Sequence, residues 1–218
     1  MAKLNFSGLS LLFSRTDEEA MWQVKVHDDH RAFDQLVHRW EQPIRRLCAR
    51  MIGDEHRAED LKQDTFAKLF DKRKLYEPNG RFSTYLWRIA LNVCHDELRR
   101  RNRRKEFFPE GDEEQGIDAF TDEDPLPDAN TATREEAELV RNALLKLPDA
   151  YRTVLVLRHY EGLKIAKIAE ILEIPIGTVS SRLVEGLARL TRLLQPKLAR
   201  ERIERKAPSN DPRELLVI

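Results

Sequence analysis

The sequence predicts an all-α fold: two small helical domains joined by an acidic linker. Three observations carry that prediction. Apolar residues recur at helical spacing in almost every patterned segment, and the aromatic share of 7% is too small for an extensive β core. The pattern then stops between residues 107 and 133, where three prolines, two glycines and a dense acidic load take over. At 218 residues the chain suits one or two units with modest cores. The predicted segments are an extension over 1–16, a helical domain over 17–106, the linker over 107–133, a second helical domain over 134–195 and a tail over 196–218.

Taken in order, Phe33, Leu36, Val37 and Trp40 give a helix over 28–40, and Pro43 suits the first turn of a second one reaching Ile52 and closed by Gly53. Ala58, Leu61, Phe66, Leu69 and Phe70 repeat the period over 55–71. Pro78, Asn79 and Gly80 mark a loop within 72–82. Ser83 is then a plausible N-cap for a long helix that turns Leu86, Ile89, Ala90, Val93 and Leu98 inward and ends in the basic run 99–105. Beyond the linker, helical patterns occupy 134–147, 150–161, 164–173 and 178–194, separated by Pro148, Gly162 and the turn Ile174-Pro175-Ile176-Gly177. The tail after Pro196 is basic at first and then loses its pattern.

The formal net charge is zero, with 38 basic against 38 acidic side chains, which argues against a nucleic-acid partner only if the charges are evenly spread. They are segregated. Residues 28–105 hold 19 basic and 13 acidic side chains, 106–138 hold 1 and 13, and 139–206 hold 14 and 7. Two basic blocks therefore flank an acidic strip.

Several function classes are excluded. No run of about 18 apolar residues could span a membrane, and the N-terminus lacks a long apolar stretch and a small-residue cleavage site, so a cytoplasmic location without membrane insertion is expected. Cys48 and Cys94 sit among apolar neighbours and read as buried free thiols. No nucleophile and base pair, phosphate loop or metal-ligand spacing is present, so neither catalytic residues, nor a metal, nor any cofactor is expected.

The strongest functional signal lies in 163–190. Ile165, Ile168, Ala169 and Leu172 share one helix face, a short turn follows, and Thr178 can cap a second helix with Val179, Leu183, Leu187 and Leu190 inward. In a helix-turn-helix of this kind Thr178, Ser180, Ser181, Arg182 and Glu185 face a major groove, where Arg donates to guanine or phosphate and Glu accepts from cytosine. An ordinary helical hairpin is the bland alternative. A second signal is the loop and helix around Tyr76, Phe82, Tyr85 and Trp87, interleaved with Arg73, Lys74, Arg81 and Arg88. Rings that stack on unpaired bases beside cations that follow phosphates suit single-stranded nucleic acid, although Phe82, Leu86 and Trp87 suit a core equally well. The run 99–105 is a candidate phosphate contact. Thirdly, Glu59, Asp60, Gln63 and Asp64 form a polar face beside an apolar stripe; without a further ligand at matching spacing, docking a partner protein fits it better than metal-dependent nuclease chemistry.

The blocks AFDQLVHRWEQPIRRLCARMIGDEHRAEDLKQDTFAKLF, GRFSTYLWRIALNVCHDELRRRNRR and LLKLPDAYRTVLVLRHYEGLKIAKIAEILEIPIGTVSSRL together resemble bacterial RNA polymerase sigma factors of the sigma-70 family, extracytoplasmic-function group, in the family's order and spacing. The resemblance implies a sigma region 2-like helical bundle followed by a sigma region 4-like helix-turn-helix. It implies that Glu59, Asp60, Gln63 and Asp64 contact the beta-prime clamp helices of core RNA polymerase. Tyr76, Asn79, Arg81, Phe82, Ser83, Tyr85, Trp87, Arg88 and Asn92 would then melt and read the minus-10 element. Thr178, Ser180, Ser181, Arg182 and Glu185 would read the minus-35 element, beside a contact with the beta flap. The partners implied are core polymerase, promoter DNA and an anti-sigma factor or other regulator. The chain departs from the family at Ser180, Val184, Glu185 and Gly186, where basic residues and alanine are common. A stand-alone helix-turn-helix regulator using 134–194 alone is the alternative.

Overall fold

The computed structural model describes residues 16–78, 81–107 and 131–206, and every regular element among them is helical. Helix α1 (Asp17–His27) was not foreseen from the pattern, yet its start is written in the chain. Thr16 accepts from the Glu19 amide at 3.2 Å while the Glu19 carboxylate accepts from the Thr16 amide at 3.0 Å, a reciprocal capping box. Only Ala20, Met21 and Val24 are buried on it, too narrow a stripe to announce a helix by period.

Helix α2 (His30–Ile52) corrects the expected break at Pro43: it runs straight through the proline as one element. Pro43 removes one main-chain hydrogen bond, but Leu36 on one side and Ile44, Leu47 and Cys48 on the other bury a common face, and that packing holds the helix together. Gly53 ends it with φ +78°, as expected of a C-terminal glycine. Helix α3 (Glu55–Asp71) is capped by the Asp54 carboxylate, which accepts from the Arg57 amide at 2.8 Å.

A short 3-10 turn (Arg73–Leu75) leads to α4 (Phe82–Phe107). Ser83 lies inside that helix rather than capping it. The amide of Phe82 donates instead to Glu18 Oε1 of α1 at 3.0 Å, a cap supplied from 64 residues away. Cys48 and Cys94 are free and buried between α2 and α4, with Sγ atoms 3.6 Å apart.

The second unit comprises α5 (Thr131–Leu145), α6 (Asp149–Leu155) continued by a π-helical turn (Val156–Tyr160), α7 (Ile165–Leu172) and α8 (Ile176–Lys206). Helix α8 begins two residues before Thr178, whose amide donates to the Pro175 carbonyl at 2.9 Å, so Thr178 is not an N-cap. Gly186 marks the crossing of α8 over α6: a Cβ there would sit 3.2 Å from Leu155 Cδ1. The buried apolar side chains of both units form one continuous cluster, because α2 packs on α5, α6 and the π-turn while α4 packs on α7.

Candidate nucleic-acid interface

The polar face of α3 is presented as expected. Asp60, Gln63 and Asp64 are exposed, while Leu61, Thr65, Phe66 and Leu69 fill the opposite, buried side. Glu59 stands apart from them, half-buried and paired with Lys62 at 2.5 Å. Asp60 is held by Arg57 at 3.0 Å without losing its exposure. No cluster of three or more His, Cys, Asp or Glu suited to a metal ion occurs among the described residues.

Around the start of α4 the structure sorts the predicted residues into two groups. Tyr76, Phe82 and Trp87 are buried at 1%, 0% and 4% exposure, so their rings are core and not open stacking platforms. Phe82 meets Trp40 and Tyr76 edge-on at 6.2 and 6.3 Å between ring centres, and Trp87 meets Trp40 at 5.8 Å. Burial, followed by the charges of Glu18 and Asp17, pushes the Tyr76 hydroxyl up to about 12. For Phe82 and Trp87 the core reading, equally open from the sequence, is the one this conformation adopts, and Tyr76, expected to be a stacking ring, is buried with them. Arg81 and Asn92 are exposed, and Ser83, Tyr85 and Arg88 half-exposed, giving a polar strip along α4. Asn79 lies outside the described residues.

The basic end of α4 is more occupied than its sequence suggests. Glu97, itself 6% exposed, pairs with Arg57 at 3.0 Å, Arg100 at 2.9 Å and Arg101 at 3.2 Å, and Arg101 also reaches Asp54 at 3.0 Å. Burial alone would raise the Glu97 carboxyl; the hydrogen bonds from Arg57 and Arg101 outweigh it and hold the group below its ordinary range. Arg99 pairs with Asp96 at 2.8 Å. Arg99, Arg100, Arg103 and Arg104 are all exposed.

On α8, burial of Val179, Leu183 and Gly186 points the opposite side outward, where Gly177, Ser181 and Val184 form an exposed stripe; Val184 is 71% exposed. Ser181 Oγ donates to the Thr178 carbonyl at 3.0 Å, and Glu185 accepts from Arg189 at 2.7 Å, which partly neutralises the carboxylate offered to a base. Thr178, Ser180 and Arg182 are half-exposed. Arg182 lines a crevice of about 360 Å³ with His95 and Arg99 of α4 and Asp149 and Thr153 of α6.

Sequence reasoning missed the residues that join the two units. Arg152, 6% exposed, donates to the Met51 carbonyl at 2.6 Å and to those of Leu145 and Leu147 at 2.8 and 2.9 Å. Arg50 pairs with Glu161 at 3.2 Å and stacks on Tyr160, and burial outweighs Arg50 and Arg46 in raising the Glu161 carboxyl. Thr84 donates to Glu170 Oε1 at 2.9 Å, and Arg88 to the carbonyls of Glu170 and Ile171 at 2.6 and 3.2 Å. The partners that meet across the two units lie more than 80 residues apart, and no local signal couples them.

Comparison with known proteins bears on both units. The Sigma-70 region 2 family matches residues 36–104 and the Sigma-70, region 4 family matches 137–190. The chain is 34% identical over 176 residues to the ECF RNA polymerase sigma factor SigW of Bacillus subtilis, covering 79% of this chain and 94% of that one. It is 31% identical over 194 residues to the RNA polymerase sigma-H factor of Pseudomonas aeruginosa, covering 86% and 98%. Among solved structures, CnrH in complex with the cytosolic domain of CnrY superposes with a TM-score of 0.61 at 26% identity, covering 84% of this chain and 99% of that chain. The region 2 match occupies the part that a stand-alone helix-turn-helix regulator would leave unused, which disfavours that reading. The chain belongs to the extracytoplasmic-function group of RNA polymerase sigma factors, initiation factors that bind core polymerase and direct promoter-specific transcription without catalysis of their own.

Proposed function

We propose that the chain divides promoter recognition between its two helical units, as its sequence segments suggest. The observation that carries this reading is the pairing of both sigma regions in family order with solvent-facing polar strips at the expected positions. Asp60, Gln63 and Asp64 of α3, flanked by Glu59, meet the beta-prime clamp helices of core polymerase. Arg81, Ser83, Tyr85, Arg88 and Asn92, with Asn79, contact the melted minus-10 strand: the cations take phosphates, while the amides and hydroxyls hold flipped bases. Tyr76, Phe82 and Trp87 support that strip from beneath. Thr178, Ser180, Ser181, Arg182 and Glu185 read the minus-35 duplex, the second unit meets the beta flap, and the acidic segment imitates nucleic acid along the RNA path.

Regulation by an anti-sigma factor belongs to the same proposal. It is supported by the likeness to CnrH, whose structure is a complex with the cytosolic domain of CnrY. A cytoplasmic location follows from the role, and no described helix is long and apolar enough to cross a membrane. The test is copurification with core polymerase followed by transcription in vitro from a promoter library. Promoter-specific transcripts above those of core alone are expected; their absence, or failure to copurify, would sink the reading.

A further inference from the structure

Helix α1 holds the chain on both sides of the point where α4 begins. At its first turn Glu18 Oε1 accepts from the Phe82 amide at 3.0 Å, so a carboxylate from another helix sits at the positive end of α4. Beside it Asp17 accepts from Trp40 Nε1 at 3.0 Å and pairs with Arg39, and the Trp40 ring is the one that Phe82 and Trp87 meet edge-on. At the other end of α1, Lys25 Nζ donates to the Tyr76 carbonyl at 2.5 Å. Lys74 returns the contact, donating to the Lys25 carbonyl at 2.7 Å and to Asp28 Oδ2 at 3.1 Å, while Arg73 donates to Asp28 Oδ1 at 2.5 Å. The bond from Arg73, followed by that from Lys74, holds the Asp28 carboxyl below its ordinary range.

Glu18 and Lys25 are seven residues apart, two turns of one helix, and so share one side of it about 10 Å apart along the axis. Six peptide steps separate Tyr76 from Phe82, enough to span roughly 20 Å when extended, so chain length alone leaves their separation free. Helix α1 fixes it. The consequence falls on one side of α4, where Arg81, Tyr85 and Asn92 recur at i, i+4 and i+11 with Ser83 nearby; Phe82, Leu86, Ala90 and Val93 are buried on the other. Ser83 lies inside the helix, so the first amide of α4 takes its partner from Glu18. A first turn that frays would scatter Arg81, Ser83 and Tyr85 before any buried residue moved.

We infer that α1 is a brace for minus-10 recognition, with Glu18 and Lys25 as positioning residues: they act by holding the first turn of α4 and the Tyr76 carbonyl at a fixed separation, so that Arg81, Ser83 and Tyr85 meet the melted strand together. The brace stands on the contacts alone; its consequence for promoters rests on the function proposed above.

The test uses the full chain and two readouts. The first is hydrogen exchange of the free chain, followed by mass spectrometry over the first two turns of α4. Glu18→Ala should speed it about fivefold, the equivalent of one lost capping bond, and Glu18→Gln, which keeps an acceptor, should speed it less. Val24→Ala is the control for general loosening: it removes buried atoms from α1 but neither tie, so it should lower the melting temperature and leave that exchange unchanged. The second readout is the affinity of the chain assembled with core polymerase for a fluorescent single-stranded oligonucleotide, the minus-10 strand of a promoter found in the library. Glu18→Ala and Lys25→Met should each weaken it about fivefold with core binding unchanged, and together by less than the product, because either one alone releases the brace. Unaltered exchange in Glu18→Ala, unaltered oligonucleotide affinity in both variants, or equal weakening by Val24→Ala overturns the proposal. Exchange that responds beside a wild-type complex that binds no minus-10 strand keeps the brace and removes the minus-10 assignment of α4 instead.

Discussion

Arg152 of α6 donates through Nη1 to the carbonyl of Met51 on α2 at 2.6 Å, so a cation 6% exposed in one helical unit closes the C-terminal turn of a helix in the other. Burial lowers the guanidinium below its ordinary value, with Asp149 opposing, but arginine starts so far above neutrality that it remains charged. Arg152→Met should cost about 3 kcal/mol, because three carbonyls lose a charge-assisted donor in a buried place. Urea unfolding checks it; a loss below about 1 kcal/mol would show that water replaces the guanidinium there.

Gly53 faces the same junction. Its φ of +78° is one that side chains resist, and an added Cβ would lie 2.4 Å from Leu145 Cδ1 of α5. Gly53→Ala is expected to destabilise by about 1–3 kcal/mol, combining left-handed strain with displacement of that leucine. Calorimetry that finds no change in melting temperature would contradict the close approach.

Tyr76→Phe separates the two readings of the α4 aromatics. The Tyr76 hydroxyl is buried with no hydrogen-bond partner among the described residues, so its removal should leave stability unchanged or raise it by up to about 1 kcal/mol. Promoter melting, followed by permanganate reactivity of unpaired thymines, should be unaltered. A melting defect at full stability would mean that the hydroxyl reaches DNA in the open complex.

Asp64→Ala and Asp60→Ala, on the exposed face of α3, should weaken core-polymerase binding about tenfold, as expected when one charge of a protein interface is lost. Thermal stability should be preserved. Equal losses of binding and stability would show that the face is structural.

Val184 is an exposed apolar group one turn from Ser181 on the outward side of α8. A thymine methyl is the groove feature it fits. Replacing thymine by uracil at one upstream position should then weaken binding about threefold to fivefold, the worth of one buried methyl. Val184→Ala should erase that difference. A uracil effect that persists in the variant places the contact elsewhere.

His95 gives the interface a pH response. Its Nε2 lies 3.2 Å from Thr153 Oγ1 across the junction, and burial lowers its pKa below 6.5, with Asp149 and Asp96 opposing and Arg99 and Arg152 reinforcing. A lowered histidine binds its proton more readily when the units separate. Stability is therefore full above pH 6.5 and falls as the pH drops below it toward the folded-state value. His95→Gln should flatten that part of the curve measured by urea unfolding; an unchanged slope would assign it to another group.

Much of this protein is legible in the chain because its determinants are local. The 3.6-residue period located α3, α4 and α7, and Gly53 ends α2 where the sequence said it would, whereas α8 starts at Ile176, inside the turn expected over 174–177. The helical pair at 165–190 and the polar face of α3 were equally readable, since both depend only on which side of a helix is apolar. Local signals failed where another element supplied the missing part. Pro43 stays helical because burial on both sides outweighs one lost hydrogen bond, and α4 starts at Phe82 because Glu18, not Ser83, caps it. Gly186 reads as a helix-propensity cost until α6 is seen 3.2 Å from where its Cβ would be. The partition of Tyr76, Phe82 and Trp87 into core, and of Arg88 onto the carbonyls at the end of α7, was decided by tertiary packing alone. Periodicity says that a face is apolar or polar; which partner meets that face depends on contacts between residues far apart in the chain, and no local pattern records them.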